Sequence, residues 1–202
     1  MLVGLGILGF LVNLLADDGY QASGSSFPDA EYQLTMPKTL LDGRFELAQD
    51  ASQTRGKDAL RGTHDSMARN VKPAVGQYTS DSPAGTSILV FSGLYGQFKD
   101  PANIRRKMAA GAADGKDTTL VVPPRDVTPA GSGITLTCQV LTSTPEGTKI
   151  TLPMCVWADQ NTGASVGIVT PETSQQDPWS VDLGKMAETA LKVREETRRP
   201  VG

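Results

Sequence analysis

Histidine and cysteine are nearly absent from this chain, which holds one His and two Cys in 202 residues. His64 alone would have to serve any Ser-His-Asp or Cys-His machinery, and no G-x-S-x-G elbow accompanies it. It reads as a polar loop residue. So few nitrogen and sulfur ligands leave mainly carboxylates to hold a metal, and no D-x-[DN]-x-[DN]-G loop occurs, so no metal or other cofactor is expected. The two cysteines do not form a C-x-x-C pair, which removes the usual redox dithiol. A polycationic field is missing too: the net charge of −3 and pI near 5.2 argue against nucleic acid as a general partner. The one dense basic stretch, residues 192–199, is interleaved with Glu195 and Glu196 and reads as the solvated, dipole-complementing end of a helix. No internal repeat is visible, and no carboxylate pair is singled out for catalysis.

What the chain does have begins with an apolar run. Residues 1–16 (MLVGLGILGFLVNLLA) carry no charge before Asp17 and Asp18. As a helix they would span roughly 24 Å, short of a ~30 Å hydrocarbon core and long for a signal-peptide core. A transmembrane anchor, a cleaved signal peptide and a buried core helix all fit this run; the anchor is the leading reading. Gly4, Gly6 and Gly9 satisfy G-x-G-x-x-G, but a small, polar linker follows where a dinucleotide fold needs a second strand and an acidic ribose partner. The expected organisation is therefore an anchor or signal segment over 1–16, a linker over 17–30 and one extracytoplasmic domain over 31–202.

Within that domain, 21 Gly and 13 Pro point to many turns and short strands. Tyr32, Leu34 and Met36 alternate with polar neighbours in the two-residue period of a half-buried strand that Pro37 ends. Another short extended piece is expected over 44–47. Residues 52–79 look polar and irregular, with at most a helical turn around 65–71. The apolar run 87–91 suits a central strand. Asp100-Pro101 is a strong helix start, with Ile104, Met108 and Ala112 at helical spacing and Gly115 as a stop. A strand over 118–122 should end at Pro123-Pro124. A last helix is expected over 182–198, with Leu183, Met186, Ala190 and Val193 on one face.

The most informative stretch is 134–169. Ile134, Leu136, Cys138 and Val140 alternate with Thr135, Thr137 and Gln139, and a second run over 149–157 follows a Pro145-Glu146-Gly147 turn. Setting Cys138 opposite Cys155 places the bend between Glu146 and Gly147, where the turn residues stand. The same register sets Leu141 opposite Leu152 and Leu136 opposite Trp157. Directly opposed antiparallel positions bring Cα atoms to about 4.5–5.5 Å, within reach of a disulfide. A Cys138–Cys155 bond is the expected state behind an export segment, with two reduced core thiols as the alternative. Asp159, just past Trp157, can accept from turn amides around residues 160–163. The two together could also meet a cationic or sugar-like ligand, an aromatic face beside a carboxylate.

Cys155-Val156-Trp157-Ala158-Asp159, with Thr162 and the apolar run after it, resembles a family of uncharacterised actinobacterial membrane proteins. So do Tyr32, Leu34, Pro37, Thr39 and Leu40, the Phe91-Ser92-Gly93 and Tyr95-Gly96 pieces ahead of Asp100-Pro101, and Cys138. Members carry one transmembrane helix and an extracytoplasmic domain ending in a C-x-W-A-D stretch. The resemblance covers residues 31–198 and implies that topology; it supplies no activity, cofactor or substrate. Members usually have a Pro-, Gln-, Gly- and Tyr-rich cytoplasmic tail before the membrane helix, a feature not found here.

The expected fold is α+β: a mostly antiparallel sheet with two or three helices, those starting at Asp100 and Asp182 packed on one side, one disulfide, and a PsbP-like sandwich as an analogy. The leading functional expectation is a non-enzymatic binding or sensing module on the outer face of a cell membrane. Its partners would be the bilayer, through the first segment, and an envelope protein or cell-wall ligand. A carboxylate-dependent envelope enzyme and a structural spacer are the competing classes.

Overall fold

The computed structural model describes residues 26–61, 65–115, 117–144 and 148–202. The apolar segment 1–16, most of the linker, His64 and the Pro145-Glu146-Gly147 turn lie outside the described residues. Among the described residues no helix is long and apolar enough to cross a membrane.

The chain is α+β, built on an eight-stranded antiparallel sheet made of two four-stranded meanders. The first runs β2 (Thr39–Leu40), β3 (Phe45–Asp50), β4 (Ala68–Ser82) and β5 (Gly85–Phe98). The second runs β6 (Thr118–Val127), β7 (Leu136–Ser143), β8 (Ile150–Ala158) and β9 (Thr162–Val169). They join where β5 pairs with β9, from Ile88↔Val169 to Tyr95↔Thr162, so the strand order is β2-β3-β4-β5-β9-β8-β7-β6. Between β5 and β6 the chain crosses to the far edge through helix α2 (Pro101–Ala113).

Residues 52–79, expected to be irregular, instead supply a π turn over Ser52–Gly56, a short helix α1 (Lys57–Leu60) and most of β4. No helical turn forms at 68–71; strand β4 has begun. Its polar sequence is held extended by pairing with β5 from Ala68↔Phe98 to Ser82↔Gly85, and residues 74–78 are buried. Tertiary context here outweighs propensity. Pro73 fits for a local reason. Val75 turns its amide and carbonyl to the β3 side, where Ser52 Oγ and the Ala51 amide meet them. Two residues earlier, Pro73 presents its donor-free nitrogen to the same side, beyond the end of the β3 pairing at Gly76. Nor does Pro123-Pro124 end β6, which runs on to Val127. It is an edge strand whose register slips between Val122 and Arg125, and an edge tolerates missing donors.

Both expected long helices form, the first with its expected cap and the second with one at Asp182. Asp100 accepts from the Asn103 amide at 2.9 Å ahead of α2. Asp182 accepts from the Gly184 and Lys185 amides ahead of α4 (Leu183–Thr197), which follows a four-residue helix α3 (Pro171–Ser174). They do not pack on one side. Side chains alternate along β8: Cys155 and Trp157 join the cluster of Leu183, Met186, Ala187, Ala190 and Val193 from α4. Val156 joins Ile104, Met108 and Ala109 of α2, and Met154 joins Ala112. The sheet is therefore covered by α4 on one face and α2 on the other.

On the α4 face Cys138 and Cys155 are directly opposed and bonded, with S–S at 2.03 Å and Cα atoms 4.0 Å apart. Both are fully buried, and Leu141↔Leu152 follows in the same register. A second, two-stranded piece pairs β1 (Tyr32–Leu34) with β10 (Arg198–Pro200), so the expected first strand forms but stands apart from the main sheet. Leu34 packs toward Gly93 of β5, where an added Cβ would come within 2.7 Å of the leucine side chain; this explains a residue with no side chain in a central strand.

Candidate functional site

Two places draw together polar side chains that the sequence leaves far apart. The first is built on Asp159, one residue past β8. Its backbone amide donates to Thr162 O at 2.7 Å, closing the β8–β9 turn, and its Oδ1 accepts from the amides of Asn161 (3.0 Å) and Thr162 (2.8 Å), as the turn chemistry predicts. Its Oδ2 accepts from the Thr162 hydroxyl (2.9 Å), Arg194 Nη2 (2.8 Å) and Arg198 Nε (2.9 Å). The Arg198 guanidinium also lies over the Tyr32 ring, 3.2 Å from its centroid. Burial pushes the Asp159 carboxyl upward, but the bonds from Asn161, Arg194 and Thr162 outweigh it and hold the group below its ordinary value of 3.8.

Arg194 and Arg198 belong to the basic stretch expected to be a solvated helix end. Their side chains are only 14% and 20% exposed, because they lean back over Asp159 and tie α4 and β10 to the β8–β9 turn. Asn161 extends the same knot. Its Nδ2 donates to Asp29 O (2.7 Å) and Gly96 O (3.2 Å), and its Oδ1 accepts from the Glu31 amide (3.2 Å). No spacing rule could have matched Asp159 to partners 35 and 39 residues away.

Trp157 is fully buried, its ring 6.0 Å from that of Phe91. Among the described residues its Nε1 has no hydrogen-bond partner. The Trp157 face is thus enclosed, and both oxygens of Asp159 are occupied by five donors. The structure sets Trp157 in the core and commits the quarter-exposed Asp159 to its turn and the two arginines.

The second place is a cleft of about 460 Å³ between α2 and the β6–β7 edge. Thr137 and Gln139 of β7 line it on the sheet side. Their strand alternation reads as polar-out, yet both are buried because α2 lies over them. Ala109, Ala110 and Ala113 form the helix wall, and Leu120 and Pro124 the β6 wall. Arg106 and Asp114, both exposed, complete the lining; among the described residues that line it, Asp114 is the one carboxylate. The Thr137 hydroxyl is already engaged, donating to Asp126 Oδ1 (2.7 Å) and accepting from Arg105 Nε (2.9 Å). Gln139 is different. Its Nε2 donates to the Ala109 carbonyl at 2.8 Å, which fixes the amide orientation because a carbonyl only accepts. Its Oε1 is buried and, among the described residues, has no partner.

The signal for this cleft was present in two separate places. The run Ala109-Ala110-Gly111-Ala112-Ala113 is small enough to ride over polar side chains, and Gln139 is the one amide side chain in β7 and β8. Only the fold puts them in register. Elsewhere, Asp65 caps the Met67 amide and pairs with Lys107 Nζ at 3.3 Å, a buried ion pair tying α2 to the start of β4. Among the described residues no group of three or more His, Cys, Asp or Glu could hold a metal ion. No protein-family model, no curated protein and no solved structure matches the chain.

Proposed function

We propose that this chain is a membrane-anchored extracytoplasmic domain that works at the cell envelope as a non-enzymatic binding or sensing module. The observation that carries the reading is the Cys138–Cys155 bond, which uses both cysteines of the chain and closes the hairpin inside the core. Bonds of this kind persist in oxidising compartments and are rare where glutathione keeps thiols reduced. The apolar residues 1–16 and the resemblance of the C-x-W-A-D stretch to extracytoplasmic domains support the same placement. The binding half of the proposal draws on the α2–β6–β7 cleft, which falls in the size range of small-molecule sites, whereas a plain spacer has no use for one.

The test is made on full-length protein in intact cells. Membranes are washed with alkaline carbonate, and protein from them is alkylated without reduction. The chain should stay with the membrane and take up no alkylating agent, and envelope extracts or cell-wall fragments should yield a retained partner. Free thiols in envelope-derived protein would overturn the location. Failure of both captures would overturn the binding role.

A further inference from the structure

We infer that the α2–β6–β7 cleft is a binding site for a small, uncharged amphiphile: an apolar body carrying one hydroxyl or amide N–H donor that pairs with Gln139 Oε1. The inference rests on the binding reading above and names its ligand class.

Buried carbonyl oxygens are almost always hydrogen-bonded, and one left dry costs free energy in the folded protein. Gln139 Oε1 is such an oxygen, and it belongs to a residue lining a cleft of about 460 Å³. An ordered water is a poor substitute, because a buried water needs two to four polar partners. The neighbouring Thr137 hydroxyl is already committed to Asp126 and Arg105, while the α2 and β6 walls are alanine, leucine and proline apart from the exposed Arg106 and Asp114. A ligand whose body fills the apolar space meets both requirements at once.

The chemistry also excludes alternatives. A carboxylate or phosphate buried at that end would set oxygen against oxygen, and an ammonium would lose its hydration among methyl groups. A neutral donor avoids both.

The experiment uses full-length, 15N-labelled protein in lipid nanodiscs, titrated with 1-hexanol, 1-methoxyhexane and hexanoate and followed by two-dimensional NMR. 1-Hexanol should shift the Gln139 side-chain amide and the Ala109, Ala110 and Ala113 backbone amides saturably. 1-Methoxyhexane, with the same body but no donor, should bind about tenfold more weakly, as loss of one buried hydrogen bond implies. Gln139→Leu should equalise the two, and Ala110→Phe, at an exposed position, should weaken both while the rest of the spectrum stays unchanged. Equal affinity for alcohol and ether, a preference for hexanoate, a preference that survives Gln139→Leu, or no saturable shift would each overturn the inference. These outcomes are separable from those of the envelope test: a cleft that ignores all probes in a chain that still captures an envelope partner sinks the ligand class alone. A cleft that binds 1-hexanol in a chain with free thiols sinks the location alone.

Discussion

The two faces of the sheet, built from alternate residues of the same strands, are finished differently. Under α4 lie the disulfide, Trp157 and Phe91, and the helix meets them with Leu183, Met186, Ala187, Ala190 and Val193. Under α2 lie Val156, packed on Ile104 and Met108, and beside it Thr137 and Gln139, met by alanines, where a cleft remains. Binary alternation decides which residues share a face. It does not decide whether a polar face will be wetted or covered; that depends on whether a helix with small side chains is available to lie on it. In this molecule the α4 face is closed by large side chains around the disulfide, and the α2 face keeps a cleft beside its apolar cluster.

Four variants can break or sharpen that contrast. The largest effect is expected for Trp157→Ala, which empties the centre of the α4 face and should cost about 3–5 kcal/mol in chemical denaturation; a loss under about 1 kcal/mol would erase the contrast. The double change Cys138→Ala with Cys155→Ala should cost about 3 kcal/mol, since the bond closes a 17-residue separation. Reduction of the wild-type protein should lower its denaturation midpoint in the same sense. Asp159→Asn comes next, at about 1–2 kcal/mol, because it strands two guanidiniums at a site still a quarter exposed and so partly screened.

The Asp159 effect has a defined pH dependence. Its folded-state pKa is depressed, so its contribution is complete above the ordinary value of 3.8 and is lost as pH falls through the lower folded value. The stability gap between wild type and Asp159→Asn should therefore be constant at neutral and mildly acidic pH and close in stronger acid; a gap that widens on acidification would refute the assigned role. The smallest effect belongs to the other face. Gln139→Leu removes an unsatisfied acceptor at the loss of one bond to Ala109, and should change stability by less than about 1 kcal/mol in either direction.

The hairpin was legible to the residue because three signals agreed: apolar alternation, a turn at the midpoint and two cysteines in register. Helices α2 and α4 were legible through Asp100-Pro101 and Asp182, whose carboxylates do cap free amides. Strand β4 was not, because Arg69, Asn70, Lys72, Pro73, Gln77, Ser80 and Asp81 give it no apolar period; its extended form comes from the strands on its two sides. The length of β6 was hidden by a proline pair that matters less at an edge. Strand β10 is Arg-Arg-Pro, and what holds it is the pairing with β1 and the Arg198 contacts to Asp159 and Tyr32. Of the candidate site residues, the role of Asp159 in its turn could be read locally. Its arginines and the burial of Gln139 depend on tertiary neighbours that no local pattern encodes.

The β1–β10 pairing has a mechanical consequence. Tyr32 sits opposite Pro200, and the Val201 amide donates to Glu31 O at 2.8 Å, so Glu31 and Val201 lie together at one end of the short ladder. Tension applied between those two points would peel the short ladder open one rung at a time rather than shear all its rungs together, and the Asp159–Arg198 link would be the next to feel the load. A pull of that kind is therefore resisted first by a local latch, leaving the eight-stranded body intact behind it.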